Sequence, residues 1–150
     1  MADQSRQRYL VVANQTAQSR ELIDELKRLS AEAPAEFVLI VPATPVQHRL
    51  TWDEAESKAA AEAVVAEARA RYEEEALTVV AASTGPGSPV MAIEDELENN
   101  PGAYAGIVLS TLPLGMSRWL KLDVLSAVKQ RTRIPVTHVV AASTPVARSA

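Results

Sequence analysis

A chain of 150 residues, 47% hydrophobic and 23% charged, has the make-up of one globular domain able to bury roughly 68–70% of its unfolded surface in a single core. It has no cysteine, which excludes disulfides, thiolate catalysis and thiolate metal sites and makes the cytoplasm the expected compartment. A net charge of −4 without a long basic cluster argues against nucleic acid as a partner, and with no apolar run near ~20 residues and a polar start over Met1–Arg8, neither a membrane span nor a signal peptide is expected.

Read along the chain, strand and helix periods alternate. Tyr9–Ala13 is a short β-branched run, and Asn14-Gln-Thr16 is a polar turn in which Thr16 has the chemistry of a helix N-cap. From Ala17 to Ser30, Leu22, Ile23, Leu26 and Leu29 recur at helical spacing. Glu36–Val41 is the second strand, closed by Pro42 and Pro45. Thr51-Trp-Asp-Glu54 has the form of a capping box, and an Ala-rich helix is expected from Trp52 to about Glu75. Ala55, Ala59, Ala63 and Ala66 suggest that this helix lies close against a sheet.

Leu77–Ala82 is the third strand. Ser88-Pro89 opens a short helix with a hydroxyl cap and a proline at its first position; Met91, Ile93 and Leu97 are its expected buried side, and Asn99-Asn-Pro-Gly102 stops it. Ala105–Leu109 is strand four, Ser117–Arg131 a helix with Leu120, Val124 and Val128 along one side, and Pro135–Ala141 strand five. The chain therefore divides into an N-terminal tail (1–7), one domain (8–142) and a C-terminal tail (143–150). Val79-Val-Ala-Ala-Ser-Thr84 recurs as Val139-Val-Ala-Ala-Ser-Thr144, which reads as two strands drawn from one small alphabet.

Five apolar strands alternating with helices argue for an α/β fold with a parallel sheet covered on both faces. In such sheets ligands bind beyond the carboxyl ends of the strands, where strand order reverses. The residues expected there are Asn14 and Thr16, Val41, Ser83, and Ser110-Thr111 with the loop carrying Gly115, Ser117 and Arg118. A small-residue loop running into a helix N-terminus offers unpaired N–H groups and a partial positive charge to an anion. Each residue also has a plain reading. Asn14 suits a ribose or a turn, Ser117 a phosphate or a cap, Arg118 a phosphate or solvent, and Trp119 a base or the core. His138 lies within strand five, where a structural or interface role is favoured, and His48 sits in a proline-flanked loop; neither has a partner at metal-ligand spacing. Ser83 stands at the end of strand three where a phosphoryl-accepting domain needs an acid, and neither a nucleophile elbow nor a Walker lysine loop occurs.

Val11-Val-Ala-Asn-Gln-Thr16, Gly87-Ser-Pro89, Ile107-Val-Leu-Ser-Thr111 and Ile134-Pro-Val-Thr-His-Val-Val140 together resemble the universal stress protein family over about residues 8 to 141. The resemblance implies a three-layer, open, five-stranded parallel sheet in the order 3-2-1-4-5 with helices on both faces, as in the adenine nucleotide alpha hydrolase-like folds. It also implies a homodimer paired through strand five, with Val136, His138, Val139 and Val140 at the edge, since an exposed apolar edge is a liability in a monomer. Nucleotide-binding members carry Gly-x-x-Gly, nine residues, then Gly-Ser or Gly-Thr after strand four. The matching positions here are Ser110, Pro113 and Asp123, so none of the three glycines occurs. Gly115, Ser117 and Arg118 offer a partial replacement as an anion site.

The resulting expectation is a non-enzymatic, cytoplasmic, homodimeric stress-response sensor or interaction module. It requires no cofactor, and ATP or AMP is the small molecule that a residual site would take. The alternative is a nucleotide hydrolase or transferase of related fold, for which Asp123 is the candidate acid.

Overall fold

The computed structural model describes residues 6–43, 54–85, 88–113 and 123–142, with side chains from 56 onward in the second segment. The elements run β1 (Gln7–Val12), α1 (Arg20–Glu32), β2 (Ala35–Pro42), α2 (Glu54–Glu74), β3 (Val79–Gly85), α3 (Pro89–Asn99), β4 (Gly106–Thr111), α4 (Val124–Arg131) and β5 (Val136–Val140). The five strands form one parallel sheet in the order β3-β2-β1-β4-β5, as expected.

Alternation along the central strands builds two cores, one on each face of the sheet. Val11, Phe37, Leu39, Val41 and Val108 face α1 and α2, meeting Leu22, Leu26, Ala68 and Tyr72. Leu10, Val12, Val38, Ile40, Ile107 and Leu109 face the other way, toward Ala92 and Ile93 of α3 and Val124 and Val128 of α4. Because both faces are covered, β4 is buried at all six positions, and the strand sequences read as nearly unbroken apolar runs.

Four departures of element boundaries or faces from the sequence reading bear on the site. The N-cap of α1 is Ser19, whose hydroxyl accepts from the Leu22 N–H at 3.1 Å; Thr16 does not cap. On α2, Ala59, Ala63 and Ala66 are exposed, and the buried stripe is Ser57, Ala61, Ala68 and Tyr72 with Val64 and Val65 half-buried. Alanine on every side of this helix leaves its orientation to the few larger residues, above all Tyr72. Met91 on α3 is exposed, and Pro89, Ala92 and Ile93 form the buried side. A position one residue from the predicted one turns a helical side chain by about 100°, enough to leave the core. Ser88 does cap α3, accepting from the Met91 N–H at 3.3 Å, with Pro89 opening the helix. The fourth departure is β3, which starts two residues later than predicted and runs on through Ser83, Thr84 and Gly85. Its ladder with β2 continues there, Ser83 beside Ile40 and Thr84 beside Val41, after a bulge between Val79 and Ala81.

The capping box at 51–54, the start of the Ser117 helix with Leu120, His48 and the tail at 143–150 lie outside the described residues. Among the described residues no helix is long and apolar enough to cross a membrane.

Candidate functional site

Strand order reverses between β1 and β4, and their carboxyl ends are where a ligand site is expected in this topology. Beyond β1 the chain makes two tight turns. The Ala17 N–H donates to the Asn14 carbonyl at 3.1 Å and the Ser19 N–H to the Thr16 carbonyl at 3.0 Å. These turns direct the Thr16 hydroxyl across to β4, where it lies 2.6 Å from the Ser110 hydroxyl. Both residues are almost completely buried, at 2% and 1% exposure, so the two hydroxyls satisfy each other at the switch point. Asn14 is half-buried, and its side-chain amide donates to the Pro42 carbonyl at 2.7 Å, tying the end of β1 to the end of β2. Val41, one residue earlier, is fully buried in the α1/α2 core.

The turn is anchored from outside. The Tyr72 phenol of α2 donates to the Ala17 carbonyl at 2.5 Å, next to Thr16. Burial pushes the Tyr72 hydroxyl well above its ordinary pKa, so it stays protonated and donating. Sequence reasoning missed this residue; the signal available was one large aromatic in an otherwise Ala-rich helix.

Not all the expected site residues gather there. Ser110 and Thr111 lie within β4 rather than beyond it, and consecutive strand residues point to opposite faces. Thr111 therefore faces the α3/α4 side, where its hydroxyl is 2.8 Å from the His138 Nε2 of β5 and donates to the Leu112 carbonyl at 2.8 Å. Ser83 is an exposed residue within the edge strand β3, separated from β1 by β2. Gly115, Ser117 and Arg118 lie outside the described residues. Asp123 is exposed and occupies the left-handed region at φ 59°, just before α4.

The Thr111 hydroxyl has one proton, and that proton goes to Leu112. With that arrangement an Nε2–H tautomer of His138 donates to the Thr111 oxygen; the tautomer sets the roles in their bond. Burial, and then the nearby Lys129 charge, hold the His138 pKa below its usual value. Between that lowered value and about 6.5, the unfolded chain binds more protons than the folded one, so stability rises with pH across this window. Urea unfolding at one protein concentration is expected to show stability falling from about pH 7 toward about pH 5, with part of the fall removed in His138→Gln. Identical pH slopes in the two proteins would contradict this reading.

At the sheet edge, the Ile107 N–H donates to the Pro135 carbonyl and the Ala141 N–H to the Thr111 carbonyl, both at 2.9 Å. In a parallel ladder, residues facing the neighbour alternate with residues whose N–H and C=O point away. Val136, His138 and Val140 thus direct their backbone groups outward. Val136, Thr137, His138 and Val139 are half-buried, and Val140 is 42% exposed. No other described strand pairs with this edge.

Among the described residues no group of three or more His, Cys, Asp or Glu side chains is arranged to hold a metal ion. No protein-family model and no curated protein matches the chain. Solved structures do. A universal stress protein from Archaeoglobus fulgidus superposes with a TM-score of 0.59 at 13% identity, over 89% of this chain and 93% of that one. A universal stress protein crystallised in complex with cAMP superposes with a TM-score of 0.59 at 17% identity, over 93% of this chain and all of the other. The chain thus has the universal stress protein fold.

Proposed function

We propose that this chain is a non-enzymatic member of the universal stress protein group. In this reading it works in the cytoplasm as a homodimeric stress-response sensor or interaction module. The observation that carries it is the β5 edge. Five consecutive uncharged strand residues, in unbroken register with β4, present outward backbone groups at Val136, His138 and Val140. Antiparallel pairing with the same strand of a second copy satisfies those groups and covers Val140. The internal pairing of Thr16 with Ser110 supports a binding rather than a catalytic role, because neither hydroxyl is partnered by a base that would activate it.

A second reading adds a nucleotide. It is favoured by polar groups gathered at the switch point and by the cAMP bound to one protein of the same fold. Binding at this point requires the Thr16–Ser110 pair to open, so affinity is expected to be weak.

Sedimentation equilibrium at tens of micromolar tests the first reading. A dimer is expected, and Val140→Lys, which places a charge on the edge, is expected to sediment as a monomer with unchanged folding. A monomeric parent protein overturns the proposal. Equilibrium dialysis against millimolar ATP, AMP and cAMP tests the second reading, and no uptake of any of them ends it.

A further inference from the structure

A parallel sheet has two edges, and a chain that pairs through both would grow into an open filament instead of closing as a dimer. Neither edge strand, Val79–Gly85 nor Val136–Val140, contains a Lys, Arg, Asp or Glu. Strand composition therefore gives no reason for β5 to associate and β3 to stay single. The side chains around β3 do.

The Phe37 N–H donates to the Thr78 carbonyl at 2.8 Å, so Thr78 faces β2 and the next residue, Val79, turns its carbonyl to the free edge. The guanidinium of Arg69, reaching from α2, donates to that carbonyl at 3.3 Å. Glu73, one turn further along α2, holds the same guanidinium through Nε at 3.3 Å. Beside it, Arg6 donates to the Thr78 hydroxyl at 2.9 Å. The strand then bulges at Val80, which breaks the even spacing an incoming strand would need. Two cations, an occupied carbonyl and a bulge thus meet within three residues. Among the described residues the β5 edge differs: its register with β4 is unbroken and no side chain hydrogen-bonds to an outward backbone group of Val136, His138 or Val140, although the charge of Lys129 on α4 is felt at His138.

The geometry points to Arg69 as the guard of the β3 edge, which blocks strand addition there and leaves β5 as the edge open to a second copy. Only the last part rests on the dimer reading above; closure of β3 stands on its own geometry. Arg69 is a surface residue whose stem lies along α2, and methionine keeps much of that stem while removing the donor and the charge. The protein with Arg69→Met is therefore expected to fold normally and to associate further, with a weight-average mass above that of the parent at the same concentration and, where β5 also pairs, rising with concentration. Adding Val80→Lys restores charge to the edge and is expected to return the mass to the parent value.

Sedimentation equilibrium of the parent, Arg69→Met and Arg69→Met/Val80→Lys separates the outcomes. A dimeric parent with a larger Arg69→Met species, returned to the parent mass by Val80→Lys, supports both readings. A monomeric parent whose Arg69→Met form dimerises, and reverts to monomer with Val80→Lys, supports the guard and removes the β5 dimer. A folded Arg69→Met protein with the parent's mass, or one whose extra association persists after Val80→Lys, overturns the guard. If Arg69→Met does not unfold cooperatively, Arg69→Gln, polar but too short to reach the carbonyl, carries the same test with the same outcomes.

Discussion

Replacing Tyr72 with alanine is expected to destabilise the protein by about 3–5 kcal/mol, a large part of the roughly 5–15 kcal/mol that holds a domain of this kind together. Tyr72 is among the largest fully buried side chains and is the largest of the described α2 residues packed in the core. Its removal leaves a void between α2 and the sheet that alanines at 61 and 68 cannot fill. It also strips the Ala17 carbonyl of its donor, releasing the turn that carries Thr16. Tyr72→Phe separates the two effects. Phenylalanine keeps the packing and loses only the hydrogen bond, so a loss of about 1 kcal/mol is expected. Urea unfolding followed by circular dichroism reads both variants. A loss below about 1 kcal/mol for Tyr72→Ala would show that the helix is oriented by something else.

The hydroxyl pair at the switch point is expected to behave as a coupled unit. Thr16→Val leaves the Ser110 oxygen buried without its partner, and Ser110→Ala does the same to Thr16. Each single change is expected to destabilise by about 1–3 kcal/mol, because a buried polar group that loses its bond keeps its full desolvation penalty. With both hydroxyls removed, no orphan remains, and the double variant is expected to lose clearly less than the sum of the two singles. Additive losses would mean that the two groups are satisfied separately. The same variants bear on nucleotide uptake: if a ligand displaces the Thr16–Ser110 bond, removal of the pair changes uptake, whereas binding elsewhere leaves it unaltered.

Much of the architecture was legible from the chain. The continuous apolar runs at Leu10–Ala13, Val38–Val41 and Ile107–Leu109 identified central strands covered on both faces, and Leu22, Ile23, Leu26 and Leu29 identified the buried side of α1. Ser88-Pro89 announced the start of α3 because cap and first-turn chemistry are local. The Ala-rich helix was legible as a helix but not in its orientation, since its apolar residues surround the axis and only contact with the sheet selects a face. The candidate site was legible as a set of residues but not as an arrangement. Ser110 and Thr111 read alike in sequence, yet the pleat sends one hydroxyl to Thr16 and the other to His138 on the opposite side of the sheet.

Thr16 and Ser19 make the distinction sharpest. Both are hydroxyl residues ahead of the same helix, and either has the chemistry of a cap. Local preference fixed that a cap would exist and what kind of side chain would supply it. Ser110, 94 residues away, decided which one, because Thr16 is drawn to a partner that only the β1–β4 pairing brings within reach. By itself the chain determined periodicity, burial on both faces and the polar character of the strand ends, since these depend on residues within a few positions of one another. Tertiary structure decided which polar groups spend their hydrogen bonds on each other and which sheet edge is guarded, since those outcomes depend on long-range neighbours that no local pattern encodes.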